Sequence, residues 1–347
     1  MNLDETQARA LARRLLKDAG WSGEFSLEPM AGGRNNRVFQ LRQPSGRLAL
    51  LKCYFHHAKD TRDRLAQEFA FLRYARSLGC AYVAEPYAAD PASHAGLMEY
   101  IVGDRPALSE VDAGHIDHAI RFFREMNARN DSNAARRLPR ASEACFSIDE
   151  HVATTRGRVE RLSGLVVEDD VDREAARFVR EELEPVWGEI QDRIAHAGVD
   201  RVKVLPGGER CLSASDFGFH NSLRAAGGRL RFVDFEYAGW DDPAKLINDF
   251  ANQPDMLLDT TLSDQFKLAL IADHAAGELL ERRVELLRPV YQLKWSCICL
   301  NEFLGVGRTR GNFSGFEQGR VQAGRKFQLA RARVMLGRAT RGACPAR

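Results

Sequence analysis

The sequence of 347 residues lacks any marked excess of charge of one sign. Fifty Lys and Arg residues stand against 48 Asp and Glu residues, which gives a formal net charge of +2 at pH 7. This balance argues against a protein whose main work is to coat nucleic acid, so we expect no nucleic-acid partner. An apolar fraction of 44% excludes disorder as the main state of the chain. The length instead predicts about two ordinary domains with large buried cores.

Long apolar runs and C-x-x-C cysteine pairs are also missing. No stretch approaches the ~18 uncharged apolar residues of a membrane-spanning helix. The start, MNLDETQARALARRLL, carries acidic residues early and does not have the pattern of a secretory signal. The seven cysteines are scattered and form no C-x-x-C pair. We therefore expect a cytoplasmic protein with buried thiols, no cysteine metal cluster and no membrane partner. Nothing in the sequence indicates an oligomeric state.

The first hundred residues alternate between short apolar runs and turn signals. Residues 2–19 have the pattern of an amphipathic helix, and a Gly/Asn turn, MAGGRNNR, separates strand-like runs at 25–30 and 38–41. A further run at 47–54 follows the Pro44-Ser45-Gly46 turn, which is typical of a hairpin. Helical spacing then covers 61–77, and a strand-like run, GLMEYIVG, ends at Gly103-Asp104. This organisation predicts a first domain over residues 1–103, with a sheet and a helix.

The remainder, residues 104–347, is predicted to be a second, mainly helical domain. Helical patterns cover 114–128 and 172–196, and the polar stretch NARNDSNAARRLPRAS between them is expected to be an exposed loop. Strand signals return in VKVLP and in SLRAAGGRLRFVDF, where Gly227-Gly228 between alternating segments predicts a hairpin. Helices are expected from Asp242 to the end of the chain.

The chemistry is concentrated around this predicted hairpin. Asp216 is followed five residues later by Asn221, and Asp234 stands where the second strand is expected to end. Phosphoryl transfer needs one carboxylate to orient an acceptor hydroxyl and oxygen ligands for Mg²⁺, which Asn and Asp can supply. By two-residue alternation Asp234 shares a face with Phe232, at the rim of an apolar layer, where a carboxylate needs a partner or a metal.

Three segments resemble the aminoglycoside phosphotransferase and choline kinase family. SDFGFHN is similar to the family's catalytic loop, and FVDFEYAGWDDP is similar to its metal-binding strand, especially in the choline kinase form. LALLKCYF followed by RLAQEFAFL resembles its lysine strand and the helix whose glutamate holds that lysine. The resemblance spans roughly residues 30 to 250 and implies an α+β, two-lobed protein-kinase-like fold. A small N-lobe would carry an antiparallel sheet, and a larger C-lobe would be mainly helical.

The resemblance also implies roles for individual residues. Lys52 would contact the phosphates of ATP or GTP while Glu68 pairs with Lys52, and the MAGGRNNRV turn with Gly32 and Gly33 would cover the phosphates. Asp216 would be the catalytic base, and Asn221 and Asp234 would hold Mg²⁺. The hinge behind the base of the nucleotide would be formed by Glu99, Tyr100 and Ile101. Asp249 matches an aspartate that supports the catalytic loop in the family.

The catalytic loop departs from the family at one position. Ala214 and Ser215 precede Asp216, where the family usually has a histidine that braces the loop. This difference motivates the alternative of a nucleotide-binding pseudokinase that acts as an interaction module. His220 is expected to serve in packing or hydrogen bonding rather than as a general base. Protein-kinase activity is disfavoured because no activation-segment signature follows Asp234, even though Asp216-Phe217-Gly218 spells that family's metal triplet.

The acceptor is predicted to be a small molecule with a hydroxyl group, such as a sugar, amino sugar, aminoglycoside or choline-like alcohol. On a predicted helix, Trp295 and Glu302 are seven residues apart and would share a face that could hold a cationic amine. A Trp295 in the core and a surface Glu302 explain the same pattern, and Lys294 could favour an acidic sugar instead. Glu236 and Asp241 with its neighbour Asp242 follow the metal strand and add negative charge, which favours an amine or hydroxyl-rich acceptor.

Overall fold

A computed structural model describes residues 5–30, 36–56, 60, 62–304 and 318–341. The chain forms two compact units. The first contains Met1–Ser142 and Leu212–Trp240, and the second contains Glu143–Cys211 and Asp241–Arg347. Gly103–Asp104, where the sequence predicts the lobe boundary, form a short strand within the first unit.

A five-stranded antiparallel sheet forms one part of the first unit. Its strands are β1 (Ser26–Met30), β2 (Asn36–Arg42), β3 (Leu48–Tyr54), β4 (Pro86–Asp90) and β5 (Ala95–Glu99). Their order in the sheet is β1-β2-β3-β5-β4. The hairpin predicted around Pro44-Ser45-Gly46 is confirmed, and Gly46 supplies its left-handed residue at φ +83°. Because β3 lies between β2 and β5 in the strand order, it is the central strand of the sheet.

Two helices accompany this sheet, α1 (Glu5–Asp18) and α2 (Arg64–Ser77). Helix α1 buries Leu11 and Leu15 in a cluster that also contains Leu51 of β3. Helix α2 begins after Asp63, whose side chain accepts a hydrogen bond from the Ala66 backbone N–H and so caps the first turn. Both helices confirm the helical patterns predicted over 2–19 and 61–77, and their ends differ from the predicted ends by a few residues.

The rest of the first unit supports the Asp216–Asp234 region. It contains helices α3 (Ala113–Asn127) and α4 (Asn133–Arg136), and a sheet of β6 (Gly103–Asp104), β8 (Ser222–Ala225) and β9 (Leu230–Phe232). The β8–β9 hairpin is confirmed, with Gly227 and Gly228 both at φ +77°. The loop expected at 127–142 is wrong in part, because it forms α4 and buries Ala135, Leu138 and Ala141.

The second unit is mainly helical. Its helices are α5 (Ile148–Ser163), α6 (Asp170–Phe178), α7 (Glu184–Ala195), α8 (Pro243–Ala251), α9 (Thr260–Asp273), α10 (Gly277–Cys299) and α11 (Gln318–Arg341). A π-helical turn, Val179–Leu183, joins α6 to α7, so the helical pattern predicted at 172–196 is confirmed in extent. Strand β7 (Cys211–Ser213) pairs with β10 (Gly239–Asp241), and most residues of both strands belong to the first unit. With the sheet of the first unit, these helices confirm the α+β class.

The strand predicted at VKVLP is wrong. The Asp200 carboxylate accepts hydrogen bonds from the backbone N–H groups of Val202 and Lys203, which bends the chain into a turn. The side chains of Val202 and Val204 are exposed.

Two further observations concern the described residues as a whole. Each of the six cysteines among them is buried, as the scattered spacing predicted. In the same part of the chain, no helix combines the length and the apolar character needed to cross a membrane.

Candidate functional site

The centre of the candidate site is Lys52 on strand β3. Its ammonium Nζ lies 2.7 Å from Glu68 Oε2, on helix α2, and 2.5 Å from Asp234 Oδ1, just after strand β9. Glu236 Oε2 is 4.0 Å from the same atom. Residues far apart in the chain, but all in the first unit, therefore converge on one buried cation.

The charge of Lys52 is stabilised by these carboxylates. Burial alone would lower the pKa of the lysine, but Asp234, Glu68 and Glu236 outweigh this effect and raise its pKa above the ordinary value. Lys52 therefore stays protonated at physiological pH. The Lys52 ammonium is buried and charged, so it can bind the oxygens of a phosphate that competes with the carboxylates for it.

Glu68 is buried on α2 and is held from three directions. Its Oε2 accepts hydrogen bonds from Lys52 and from the Tyr54 hydroxyl, each at 2.7 Å. Its Oε1 accepts one from the Phe235 backbone N–H at 3.1 Å. A buried carboxylate with three donors has little freedom to move, so Glu68 fixes the position of the Lys52 ammonium.

The loop that carries Asp216 is anchored by aromatic residues. Phe217 and Phe219 are buried, and Phe217 packs against Phe122 and Phe232 at ring-centroid distances of 5.5 and 5.0 Å. Ser215 has a left-handed backbone at φ +66°, a conformation that non-glycine residues adopt rarely and mostly at functional sites. These features turn Asp216 outward, and its side chain keeps 35% of its surface exposed.

Asn221 closes the loop on itself. Its side-chain Nδ2 donates a hydrogen bond to the backbone carbonyl of Asp216 at 3.0 Å. Its own carbonyl accepts a hydrogen bond from Val233 N–H at 2.9 Å, directly before Asp234. This bond continues the β8–β9 pairing by one step and ties the Asp216 loop to the Asp234 segment.

Asp234 does not occupy the predicted strand position. Strand β9 ends at Phe232, and Asp234 has φ +69°, so the two-residue alternation that would place it on one face with Phe232 does not reach it. The prediction was wrong about the backbone because the left-handed residue redirects the chain. The sequence also predicted that the Asp234 carboxylate needs a partner, and Lys52 is that partner.

Glu236 belongs to the same network and is fully buried. It accepts a hydrogen bond from Asn36 Nδ2 at 2.7 Å, and its Oε1 lies 3.6 Å from Arg64 Nε. Burial, and next the Asp234 carboxylate, raise the pKa of Glu236. Sequence reasoning missed Asn36 and Arg64. Both stood in recognised segments, Asn36 in the MAGGRNNRV turn and Arg64 at the start of RLAQEFAFL, but no pattern gave either of them a role.

The predicted hinge lies at the end of strand β5. The Glu99 carboxylate is in an ion pair with Arg231 at 2.7 Å and accepts a hydrogen bond from the Glu85 N–H. Tyr100 is half-buried and Ile101 is buried. Gly32 and Gly33 lie outside the described residues, so their predicted role is not addressed by the structure.

Asp241 and Asp242, in the second unit, are fully buried and paired. Asp241 forms an ion pair with Lys245 at 2.7 Å. Asp242 is 3.0 Å from His151 Nε2 and also pairs with Arg283. The argument that these aspartates add net negative charge is therefore wrong, because neighbouring cations balance them.

Trp295 and Glu302 are not placed on one continuous helix. Helix α10 ends at Cys299, and Glu302 lies in the 3₁₀ turn Leu300–Phe303, so the seven-residue spacing does not put the two on a shared face. Trp295 is buried and donates its indole N–H to Asp249 Oδ1 at 2.9 Å. Lys294 pairs with the same oxygen at 2.6 Å. These contacts match the alternative in which Trp295 belongs to the core.

The oxygen donors at the site suit a hard divalent cation. Because Asn221 uses Nδ2 to bind the Asp216 carbonyl, its Oδ1 is the atom that it can offer to a metal, beside Asp234. Across the described residues, no group of three or more His, Cys, Asp or Glu side chains forms a complete metal cage. Mg²⁺ in phosphoryl-transfer sites needs no such cage, because one or two carboxylates act with waters and phosphates.

The class of protein follows from a comparison with known families. The model of the phosphotransferase enzyme family matches residues 26–283, well over half of the chain. The protein belongs to this family and is a phosphotransferase, which confirms the resemblance found in the sequence.

Solved structures show the same fold at low sequence identity. A choline/ethanolamine kinase family protein from Mesorhizobium loti is 19% identical with a TM-score of 0.56, covering 96% of this chain and 98% of that one. Choline kinase LicA from Streptococcus pneumoniae is 14% identical with a TM-score of 0.57, covering 96% and 99%. The streptomycin–ATP–APH(2")-IIa complex is 14% identical with a TM-score of 0.52, covering 95% and 97%. Among curated proteins, none matches this sequence.

Proposed function

We propose that the protein transfers the γ-phosphoryl group of ATP, or of GTP, to a hydroxyl of a small molecule, with Mg²⁺ as the metal. The observation that carries the proposal is the convergence of Glu68, Asp234 and Glu236 on Lys52 within one unit. The same unit holds the Asp216–Asn221 loop, which is tied to the Asp234 segment. These are the parts that phosphoryl transfer requires.

Each group has a distinct task in this proposal. Lys52, held by Glu68, binds phosphate oxygens of the nucleotide, and Glu99, Tyr100 and Ile101 hold its base. Asn221 and Asp234 hold the magnesium, which when bound neutralises charge on the phosphates. Asp216 orients the acceptor hydroxyl and takes its proton as the oxygen attacks. Positioning and charge neutralisation supply most of the rate enhancement.

The similar structures support one class of acceptor. Their descriptions name choline and ethanolamine kinases and phosphotransferases that bind streptomycin or gentamicin. These relatives support an acceptor that carries both an alcohol and an amine. Glu236, Asp241, Trp295 and Glu302 remain the predicted acceptor residues. Since Asp241, Trp295 and Glu236 are buried with protein partners, the half-buried Glu302 is the first to test. Buried thiols and the use of ATP support a cytoplasmic location.

The test measures ADP release from ATP with Mg²⁺ and a panel of sugars, amino sugars, choline, ethanolamine and aminoglycosides. Asp216→Asn should lower kcat by about 10²–10⁴-fold, the usual contribution of a general base, and leave nucleotide binding largely intact. The exposed Asp104 of the same unit, changed to Asn, is the matched control and should behave as the unaltered protein. Loss of nucleotide binding in a folded Asp216→Asn protein would contradict the assigned role.

The replacement of the usual histidine by Ala214 and Ser215 favours a second candidate, a pseudokinase that binds nucleotide without turning it over. The same panel separates the two functions. ATP binding with no phosphorylated product from any acceptor identifies the pseudokinase, whereas a single phosphorylated acceptor excludes it.

A further inference from the structure

His220 lies in the catalytic loop, and its contact with Asp216 has no part in the function proposed above. Its ring Nε2 is 3.2 Å from Asp216 Oδ1. Because an ionised carboxylate can only accept hydrogen bonds, this contact requires that Nε2 carry the hydrogen. The histidine is therefore the donor in this hydrogen bond.

The local backbone explains why these two side chains meet. Gly218 is extended, at φ 169° and ψ 174°, and Phe217 and Phe219 on either side of it are buried. His220 lies in the 3₁₀ turn Phe219–Asn221, which is closed by a hydrogen bond from the Asn221 N–H to the Gly218 carbonyl at 3.0 Å, and this turn brings the imidazole back to Asp216. Gly218 itself places no side chain between them.

We propose that His220 is a positioning residue that holds the Asp216 carboxylate by its Oδ1, so that Oδ2 faces the acceptor hydroxyl. The proposal rests on the proposed function. It assigns His220 the orientation of the Asp216 side chain, a contact that Ala214 cannot make because it has no polar side-chain atom. With 12% of its side chain exposed against 35% for Asp216, His220 is the support and Asp216 the group that meets the acceptor.

Two further hydrogen bonds already hold the main chain of the loop. The specific task of His220 is therefore to orient the carboxylate of Asp216. Asn221 Nδ2 already binds the Asp216 backbone carbonyl, and the Ser215 N–H donates to Ser213 Oγ at 2.9 Å. The main chain at Asp216 is thus held without His220. Removing the imidazole should therefore affect the rotamer of Asp216 more than the path of the loop.

The experiment compares His220→Leu, which removes the donor, with His220→Gln, which keeps a side-chain N–H. His118, a half-buried histidine of the same unit that contacts the Tyr82 hydroxyl, is the matched control as His118→Leu. ADP release from Mg-ATP is measured with choline and with water alone. His220→Leu should lower kcat about 10- to 100-fold with little change in KM for ATP. This loss is smaller than that expected for Asp216→Asn, because the base is still present but is no longer oriented. His220→Gln should recover most of the rate, and His118→Leu should retain it.

A double-mutant cycle then separates positioning from general damage. If His220 acts only through the Asp216 carboxylate, His220→Leu should cause no further loss in an Asp216→Asn protein. Multiplicative losses, or an unchanged kcat in His220→Leu, would overturn the positioning role while the proposed function stands. If the unaltered protein releases no ADP with any acceptor of the panel, the proposed function fails and the role of His220 fails with it.

Discussion

Replacement of Lys52 by methionine tests the charge network in its simplest form. Methionine preserves much of the apolar stem of lysine and removes only the ammonium. Glu68, with 2% of its side chain exposed, then loses its counter-ion, whereas Asp234, with 39% exposed, can be solvated by water. Glu236, which is equally buried, keeps Arg64 as a counter-ion and Asn36 as a hydrogen-bond donor. The cost should therefore come mainly from Glu68.

The magnitude follows from the remaining partners of Glu68. Breaking a buried ion pair from one side costs about 3–5 kcal/mol. Glu68 keeps its hydrogen bonds from Tyr54 and Phe235, so we expect a loss near the lower end, about 3 kcal/mol. Glu68→Gln in the same chain removes the stranded charge and should recover part of this loss.

Urea unfolding followed by circular dichroism measures these free energies. The exposed Lys17 of α1, changed to methionine, is the matched control and should alter the free energy of unfolding by less than about 0.5 kcal/mol. If Lys52→Met is as stable as Lys17→Met, or if Glu68→Gln deepens the loss, the reasoning about a buried, charge-dependent lysine is refuted.

Two other substitutions test a buried ion pair of the second unit and the packing beside Glu68 in the first unit. In the second unit, hydrogen bonding to Asp242 outweighs burial and raises the pKa of His151 from 6.5 to about 9. Its stabilising contribution, about 3 kcal/mol, is complete below pH 6.5 and lost as the pH rises through 9. His151→Gln should thus flatten the pH dependence of urea unfolding, and an equally steep dependence would contradict the assignment. In the first unit, Gly96→Ala would place a Cβ 2.2 Å from Phe69 Cε2, beside Glu68. Thermal denaturation should show a loss of about 1–3 kcal/mol with weaker ATP binding, and an unchanged Tm would show that the ring moves aside without cost.

Much of the first unit was predictable because its signals are local. Turn residues such as Pro44-Ser45-Gly46 and Gly227-Gly228 mark hairpins through backbone conformations that few other residues adopt. The pairing of Lys52 with Glu68 was expected from the resemblance of LALLKCYF and RLAQEFAFL to the family's lysine strand and glutamate helix, and the two side chains do form an ion pair.

The failures share a different physical origin. Valine-rich VKVLP has the propensity of a strand, but propensity cannot reveal the turn made by Asp200. The left-handed backbone of Asp234 depends on packing and on Lys52, which no alternation pattern encodes. Trp295 and Glu302 were predicted on one face because the end of α10 at Cys299 has no glycine or proline to mark it.

The division of the first unit between two stretches of chain has a consequence for biosynthesis. Lys52 and Asp234 are 182 positions apart, and the whole Glu143–Cys211 stretch of the second unit is translated between them. A ribosome-bound chain that has emerged only through Ser142 holds the Lys52–Glu68 ion pair but lacks the backbone N–H of Phe235 that completes it. Strands β8 and β9 are also still missing, so the first unit cannot close until Trp240 has left the exit tunnel. Chaperones that meet the nascent protein would therefore encounter an unfinished charged core until Trp240 has emerged.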